Sequence, residues 1–352
     1  MKPAEQKTTI SGIAEAAGVS KTTVSRYLNG KYEYMSEKTR KRIEAVIDVT
    51  GYRPSNIARS LKSKKSMLIG VVIADIASPF SASVISGVGE TLRHAGYSTI
   101  IVNADNSLAL EHEYIRSLMA QCVDGLLINT TDTENPFLIE LASQGVPIVL
   151  LDRVVKDYNF DISCIECHES MLHAMSHLMG QGYGRLAFFT QPPEKISPRY
   201  LRQQAFVGQL REVGVANPES FVYTVDIYDP ESTVNQMKRL VATSRGQTPA
   251  IIAANGVTLL HTLNASRELQ FNIPRDIGIC GYDDWGWTEQ MGWAPLIHPG
   301  ITTITANSKD VGSQAALLLL DRMADPNCPK RAVAVPTQMI VRRSTCLEER
   351  PG

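Results

Sequence analysis

At 352 residues, 43% hydrophobic and 20% charged, the chain has the composition of a globular protein too long for one core, and two or three domains are expected. No apolar run approaches the roughly 20 residues that span a bilayer, which excludes a helical membrane protein, and the six irregularly spaced cysteines exclude a disulfide framework. The net charge of −1 conceals a basic head, with 14 Lys and Arg against 6 Asp and Glu in residues 1–66, on a body that carries 21 against 30; such a head points to a polyanionic partner.

Residues 1–10 are polar and lack the apolar core of an export signal, so the protein is expected to stay in the cytoplasm, away from membrane. Ser11 is placed to cap a short helix through Ile13, Ala14, Ala16 and Ala17. Gly18 supplies the positive φ of a tight turn, and Ser20 caps the next helix, which Asn29-Gly30 ends. On that helix Val24 and Leu28 face inward, four residues apart, leaving Lys21, Thr22, Ser25 and Arg26 outside. Short polar and basic side chains at the start of a second helix suit base edges and phosphates in a major groove. A third helix follows, capped by Ser36, with Ile43, Val46 and Ile47 on its buried face.

The run Ile10-Ser11-Gly12-Ile13-Ala14-Glu15-Ala16-Ala17-Gly18-Val19-Ser20-Lys21-Thr22-Thr23-Val24-Ser25-Arg26 closely resembles the head of the lactose-repressor-like (LacI/GalR) family, as do Gly51-Tyr52-Arg53-Pro54 and Ala58-Arg59-Ser60-Leu61. Gly12 departs from it, since the family usually has a charged residue there. Residues 55–61 are too short for a stable isolated helix; the resemblance implies a hinge helix that orders in a dimer on DNA. Leu61 then matches the apolar wedge of the minor groove, with Lys62, Lys64 and Lys65 near phosphates. The DNA contacts so implied are Ser20, Lys21, Thr22, Thr23, Ser25, Arg26, Asn29, Arg53, Asn56 and Leu61.

From Met67 onward, short apolar runs alternate with helical stretches. Strands are expected at 68–73, 98–103, 124–129, 147–152, 162–167, 185–190, 221–226, 250–255 and 277–283. The alternation argues for doubly wound parallel sheets in two lobes, with a ligand beyond the carboxyl ends of the strands, in the cleft between lobes. Family resemblance extends through Asp75-Ile76-Ala77-Ser78-Pro79-Phe80, Leu151-Asp152-Arg153, Gly281-Tyr282-Asp283-Asp284 and Ile301-Thr302-Thr303-Ile304. It implies an N-terminal all-α helix-turn-helix head with a hinge helix, joined to an α/β, bilobed, periplasmic-binding-protein-like domain. The expected boundaries are 1–53 for the head, 54–66 for the hinge, 67–165 with 305–326 for the N-terminal lobe, and 166–304 with 327–352 for the C-terminal lobe. The chain thus crosses between lobes near 165, 304 and 327.

Several expected strand ends carry polar groups, Asp75, Asn129, Asp152, Asn255 and Asp283, each able to bridge sugar hydroxyls or simply to cap a helix. Phe80 and Trp285 offer apolar faces for a sugar ring. Arg199 and Arg202 share one helix face, Arg202 matching the family's pocket arginine four before Phe206. Two guanidinium forks favour a carboxylate, hence a sugar acid, unless Arg199 pairs with a neighbouring acid. This run resembles the branch responding to 2-keto-3-deoxygluconate or ketogluconate. Two further departures from the family are Gly256, where an Asp often stands, and Ala306 in place of a Gln. The stretch with Trp285, Trp287 and Trp293 reads as a ligand lid or a dimer contact.

Cys164-Ile165-Glu166-Cys167-His168 fits the haem-attachment pattern but spans a strand end; buried thiols at the lobe crossover are expected, with no cofactor or metal. The expectation is therefore a non-enzymatic, DNA-binding transcriptional repressor. It is a homodimer whose affinity for a double-stranded operator is controlled by a small sugar acid. A neutral-sugar regulator and a solute-binding protein remain as alternatives.

Overall fold

The computed structural model describes residues 9–52, 65–285 and 292–347, and the chain divides into Met1–Met67 and Leu68–Gly352. The first unit packs α1 (Ile10–Ala16), α2 (Lys21–Leu28) and α3 (Glu37–Thr50) around Ile13, Ala14, Ala17, Val24 and Ile43, all buried. Gly18 makes the left-handed turn after α1, at φ 59°. The Ser20 and Ser36 hydroxyls cap α2 and α3, accepting from Thr23 N at 3.1 Å and Thr39 N at 3.2 Å. The cap of α1 differs from expectation: Thr9, not Ser11, accepts from Gly12 N, at 3.3 Å. Ile10 packs against the core, so it is drawn into the first turn and the cap moves back to Thr9. The expected hinge helix, with Arg53, Asn56, Leu61, Lys62 and Lys64, lies outside the described residues.

The second unit holds two six-stranded sheets among the described residues. One comprises β1 (Leu68–Ile73), β2 (Ser98–Asn103), β3 (Gly125–Ile128), β4 (Ile148–Leu151), β5 (Asp161–Ile165) and β11 (Ala332–Val335), ordered β2-β1-β3-β4-β5-β11 with every pairing parallel. The other comprises β6 (Arg185–Thr190), β7 (Val222–Thr224), β8 (Pro249–Ala253), β9 (Gly278–Tyr282), β10 (Thr302–Ala306) and β12 (Thr337–Ile340). Its order is β7-β6-β8-β9-β10-β12, and only β12 is antiparallel. In the inner strands β3, β4, β8 and β9, buried at every position, burial on both faces explains the near-continuous apolar runs. The first sheet is accompanied by α4 (Pro79–His94), α5 (Leu108–Ala120), α6 (Pro136–Ser143) and α11 (Ser308–Ala324). The second is accompanied by α7 (His168–Gly180), α8 (Ser197–Glu212), α9 (Pro230–Thr243) and α10 (Gly256–Glu268). A side chain at Gly312 would collide with the Val84 carbonyl, so α4 and α11 meet backbone to backbone.

The chain passes between sheets after β5, after β10, and between β11 and β12 at Pro336. The last crossing is therefore not near 327. Ala332–Val335 pairs with 162–165 in the first sheet, so residues 327–335 run with the first lobe. Residues 305–306, in turn, finish β10 of the second. Pro336 has no N–H to give a ladder, which suits the point where the backbone leaves one sheet for the other.

Candidate functional site

In the head, Ser20, Lys21, Thr22, Arg26 and Asn29 are exposed, while Thr23 and Ser25 are half-buried. Three of these residues, Ser20, Thr23 and Asn29, also build the helix. Thr23 Oγ1 lies 2.9 Å from the capping Ser20 Oγ, and Asn29 Nδ2 donates to the Ser25 carbonyl at 2.6 Å. Arg26 stands over the Tyr34 ring, 5.2 Å from its centroid, which holds a long side chain close to the helix surface.

In the body, each sheet reverses its strand order at one point, between β1 and β3 and between β6 and β8. Ligand crevices form outside the carboxyl ends of strands at such points. A cavity of about 850 Å³ lies there, lined by Asp75, Phe80, Asn129 and Asp152 from the first lobe. Arg199, Arg202, Asn255, Asp283 and Trp285 line it from the second. All nine residues expected at the effector site thus meet in one cleft.

Their partners distinguish them. Asp152 and Asp283 follow the fourth strand in order of each sheet, both at positive φ, 64° and 76°. Each spends one carboxylate oxygen on a backbone N–H: Asp152 accepts from Ile165 at 3.1 Å and Asp283 from Gly256 at 2.8 Å. Burial raises the pKa of both, with Arg202 acting in the opposite direction. Arg202 is 4% exposed, donates from Nη1 to the Ala254 carbonyl at 2.6 Å, and lies 3.7 Å over the Tyr282 ring centroid. Arg199 makes no ion pair among the described residues; its Nη1 reaches only the Pro192 carbonyl, at 3.4 Å, and its buried Nε has no partner. Burial first, then Arg153 and Arg202, push its pKa down to about 10.

The amides serve structure and cleft together. Asn255 caps α10 through its oxygen, 2.9 Å from Thr258 N, and donates from Nδ2 to Gln191 Oε1 at 2.9 Å. Asn129 Nδ2 ties β3 to β4 through the Leu151 carbonyl, at 2.7 Å. Asp75 Oδ1 accepts from Ala77 N at 2.9 Å, closing a local turn. Sequence reasoning missed Arg153 and Gln191, which also line the cleft; the signal for Arg153 was its place directly after Asp152 at a strand end. The paired cysteines lie at the first crossover. Cys167 is buried and Cys164 partly so, and burial pushes the Cys164 thiol up to about 12 and raises that of Cys167. Thiols held in that form are poor nucleophiles and poor ligands.

Residues 9–55 match the family described as bacterial regulatory proteins, lacI family, and residues 175–345 match a periplasmic binding protein-like domain. The chain is 37% identical to the HTH-type transcriptional regulator KdgR of Bacillus subtilis (strain 168), over 96% of this chain and 97% of that one. The chain belongs to the lacI family. It is a DNA-binding transcriptional regulator, and it is also similar to the HTH-type transcriptional regulator PtxS of Pseudomonas plecoglossicida, at 32% identity over 98% of each. A lac repressor dimer solved bound to operator and the anti-inducer ONPF shares the fold, with a TM-score of 0.82 and 24% identity, covering 97% of this chain and all (100%) of that one. A CelR–cellobiose complex matches with a TM-score of 0.68 and 26% identity, over 96% and 99%.

Against the family pattern, the departure at Gly256 now has a physical cause. At Gly256 any side chain would collide with the Trp285 ring and crowd Asp283, so the aspartate common in the family cannot coexist with this tryptophan. Ala306 is partly buried and packs against the first-lobe core. Trp285 lines the cleft and Trp293 packs on the second-lobe core, their ring centroids 6.5 Å apart; Trp287 lies outside the described residues. Gly256→Asp should therefore displace Trp285 and cost about 1–3 kcal/mol, as overpacking does. Urea unfolding followed by tryptophan fluorescence will measure it, with the loss recovered in Gly256→Asp/Trp285→Ala. An unchanged midpoint in the single variant would show that the ring is not confined there.

Proposed function

We propose that the protein is a homodimeric repressor released from its operator by a sugar acid of the 2-keto-3-deoxygluconate or ketogluconate type. The observation carrying the effector class is Arg199: a cationic side chain in the cleft with a buried, unpartnered Nε and no carboxylate paired to it. Around it stand hydroxyl-binding groups, Asp75, Asn129, Asp152, Asn255 and Asp283, and two rings, Phe80 and Trp285, that suit a sugar's apolar face. In the head, Ser20, Lys21, Thr22, Thr23, Ser25, Arg26 and Asn29 are the groups offered to the major groove. Arg53, Asn56 and Leu61 follow the family's pattern for the backbone and minor groove. The dimer follows the lac repressor, solved as a dimer on operator, and heads on successive major grooves would read a near-palindrome.

The family's named members are transcriptional regulators, which supports binding rather than catalysis at the cleft. Coupling requires only that the sugar acid bind one lobe arrangement better than the other, and the effect is reciprocal. In a gel-shift titration of the full chain on its operator, 2-keto-3-deoxygluconate or 2-ketogluconate is expected to weaken binding. Tighter binding would instead make the acid a corepressor, and no change with either acid sinks the effector assignment. A neutral sugar is the second reading, favoured by the likeness to the CelR–cellobiose complex; glucose and cellobiose belong in the same titration.

A further inference from the structure

The cleft holds three guanidinium groups, and they are not equivalent. Arg202 is the more committed: its Nε, like that of Arg199, has no hydrogen-bond partner, but its Nη1 is bonded to the Ala254 carbonyl, its guanidinium is stacked on Tyr282, and Asp152 and Asp283 balance its charge. Arg199, three residues earlier on α8, has no such balance. Arg153 comes from the opposite lobe, directly after Asp152, and lines the same cleft.

The segments carrying Arg153 and Arg199 are joined across the lobes. Val154 N, next to Arg153, donates to Ser197 Oγ at 2.9 Å, two residues before Arg199. Arg153 Nη1 donates to the Thr130 carbonyl at 3.0 Å, and Arg153 makes no ion pair among the described residues. The acids nearest it are occupied elsewhere. Glu111 takes Thr130 Oγ1, Thr131 N and Asn135 Nδ2, and Asp152 and Asp75 accept from backbone N–H groups. Two like charges therefore line one cleft from opposite lobes, near enough for Arg153 to depress the pKa of Arg199, and Arg199 has an unused buried donor.

We propose that the ligand's carboxylate bridges Arg153 of the first lobe and Arg199 of the second, while Arg202, Asp152 and Asp283 hold the hydroxyl-bearing end. This inference rests on the sugar-acid reading and assigns the acid to a different arginine pair from the one sequence spacing offers. Its consequence is mechanical. Without an anion, repulsion between the two guanidiniums works against the cross-lobe ties from Val154 to Ser197 and from Lys195 to Asp132; a carboxylate between them reverses the sign and adds a further tie. A neutral analogue can occupy the hydroxyl subsite without supplying the tie, so the protein responds to the ligand's charge and not to the sugar alone.

The test is calorimetric titration of the full-length protein and its Arg153→Gln, Arg199→Gln and Arg202→Gln variants with 2-keto-3-deoxygluconate, 2-ketogluconate and the neutral sugar glucose. The wild type is expected to prefer an acid to the neutral sugar. Arg153→Gln and Arg199→Gln should each weaken the acid about tenfold or more, the reach of a charge-assisted hydrogen bond, and leave the neutral sugar unchanged. Because they share one carboxylate, the double variant should lose less than the product of the two. Arg202→Gln should weaken acid and sugar alike. Small-angle scattering adds a readout of closure: the acid contracts the wild type but not Arg153→Gln. An Arg153→Gln protein that keeps the wild-type acid preference and contraction overturns the bridge and leaves the sugar-acid reading standing. A wild type with no acid preference overturns both.

Discussion

In the Arg202→Met protein, binding of the acid and of the neutral sugar is expected to weaken alike and stability at pH 7 to fall by about 2–3 kcal/mol, the scale of losing a hydrogen bond to a charged group in a buried site. Methionine keeps the apolar stem that packs in the second-lobe wall. What disappears is the bond to the Ala254 carbonyl at 2.6 Å and the positive charge beside Asp152 and Asp283. Burial opposes the charge of Arg202, yet Cys167, Tyr282, Asp283 and Asp152 together hold its pKa above the usual guanidinium value. Since burial keeps the thiol and phenol neutral near pH 7, the two carboxylates are the partners that matter.

The loss should depend on pH in a fixed direction. Burial already raises the pKa of Asp152 and Asp283 in the folded chain, and Arg202 limits the rise. An acid with a folded pKa above its unfolded value contributes stability that is fully present below the unfolded pKa and lost as pH rises through the folded one. Removing Arg202 raises the folded values further, so the variant gains more than wild type on acidification from about pH 7 to 5. Urea unfolding at both pH values measures the deficit. A deficit that stays constant would mean that the arginine acts through packing and the Ala254 bond alone.

How much of this was legible in the sequence depended on distance along the chain. Parallel strands buried on both faces announce themselves as apolar runs. A polar residue at the end of such a run lands at the carboxyl edge of the sheet, which is why Asp75, Asn129, Asp152, Asn255 and Asp283 could be named in advance and were found in one cleft. The strands β11 and β12 gave no such signal. Ala332–Val335 is an edge strand with exposed positions, and Pro336 interrupts the alternation, so the last crossing was misplaced. Partnerships between distant residues were equally silent. Gly256 looked like a missing aspartate until Trp285 was seen against it. Spacing put Arg199 and Arg202 on one helix face and offered them as one carboxylate clamp, whereas Ala254, directly after β8, and Tyr282, in β9, engage only Arg202.

The largest stability effect is expected far from the cleft, in Asp161→Ala. Asp161 opens β5 and is fully buried at 0% exposure. Its Oδ2 accepts from Arg322 Nε at 2.9 Å, and its Oδ1 from Arg331 N at 2.9 Å. Lys330 Nζ lies 3.7 Å from Oδ2. Arg322, itself 5% exposed, donates further to the Pro326 and Cys328 carbonyls at 2.8 and 2.7 Å. One carboxylate thus ties α11 and β5 to the turn that leads into β11, the segment whose position sets the last crossing between lobes. Alanine would leave the Arg322 charge buried without its counter-ion, a loss of about 3–5 kcal/mol. Asp161→Asn keeps the acceptor for Arg331 N and should cost less. Asp161→Leu/Arg322→Met, with no charge left to strand, should recover much of the loss, since replacing a whole buried pair by apolar side chains is often close to neutral. Urea midpoints for the three variants decide it: a single alanine variant within about 1 kcal/mol of wild type, the worth of an exposed pair, would show that water reaches Arg322 and that this knot does not hold the third crossing in place.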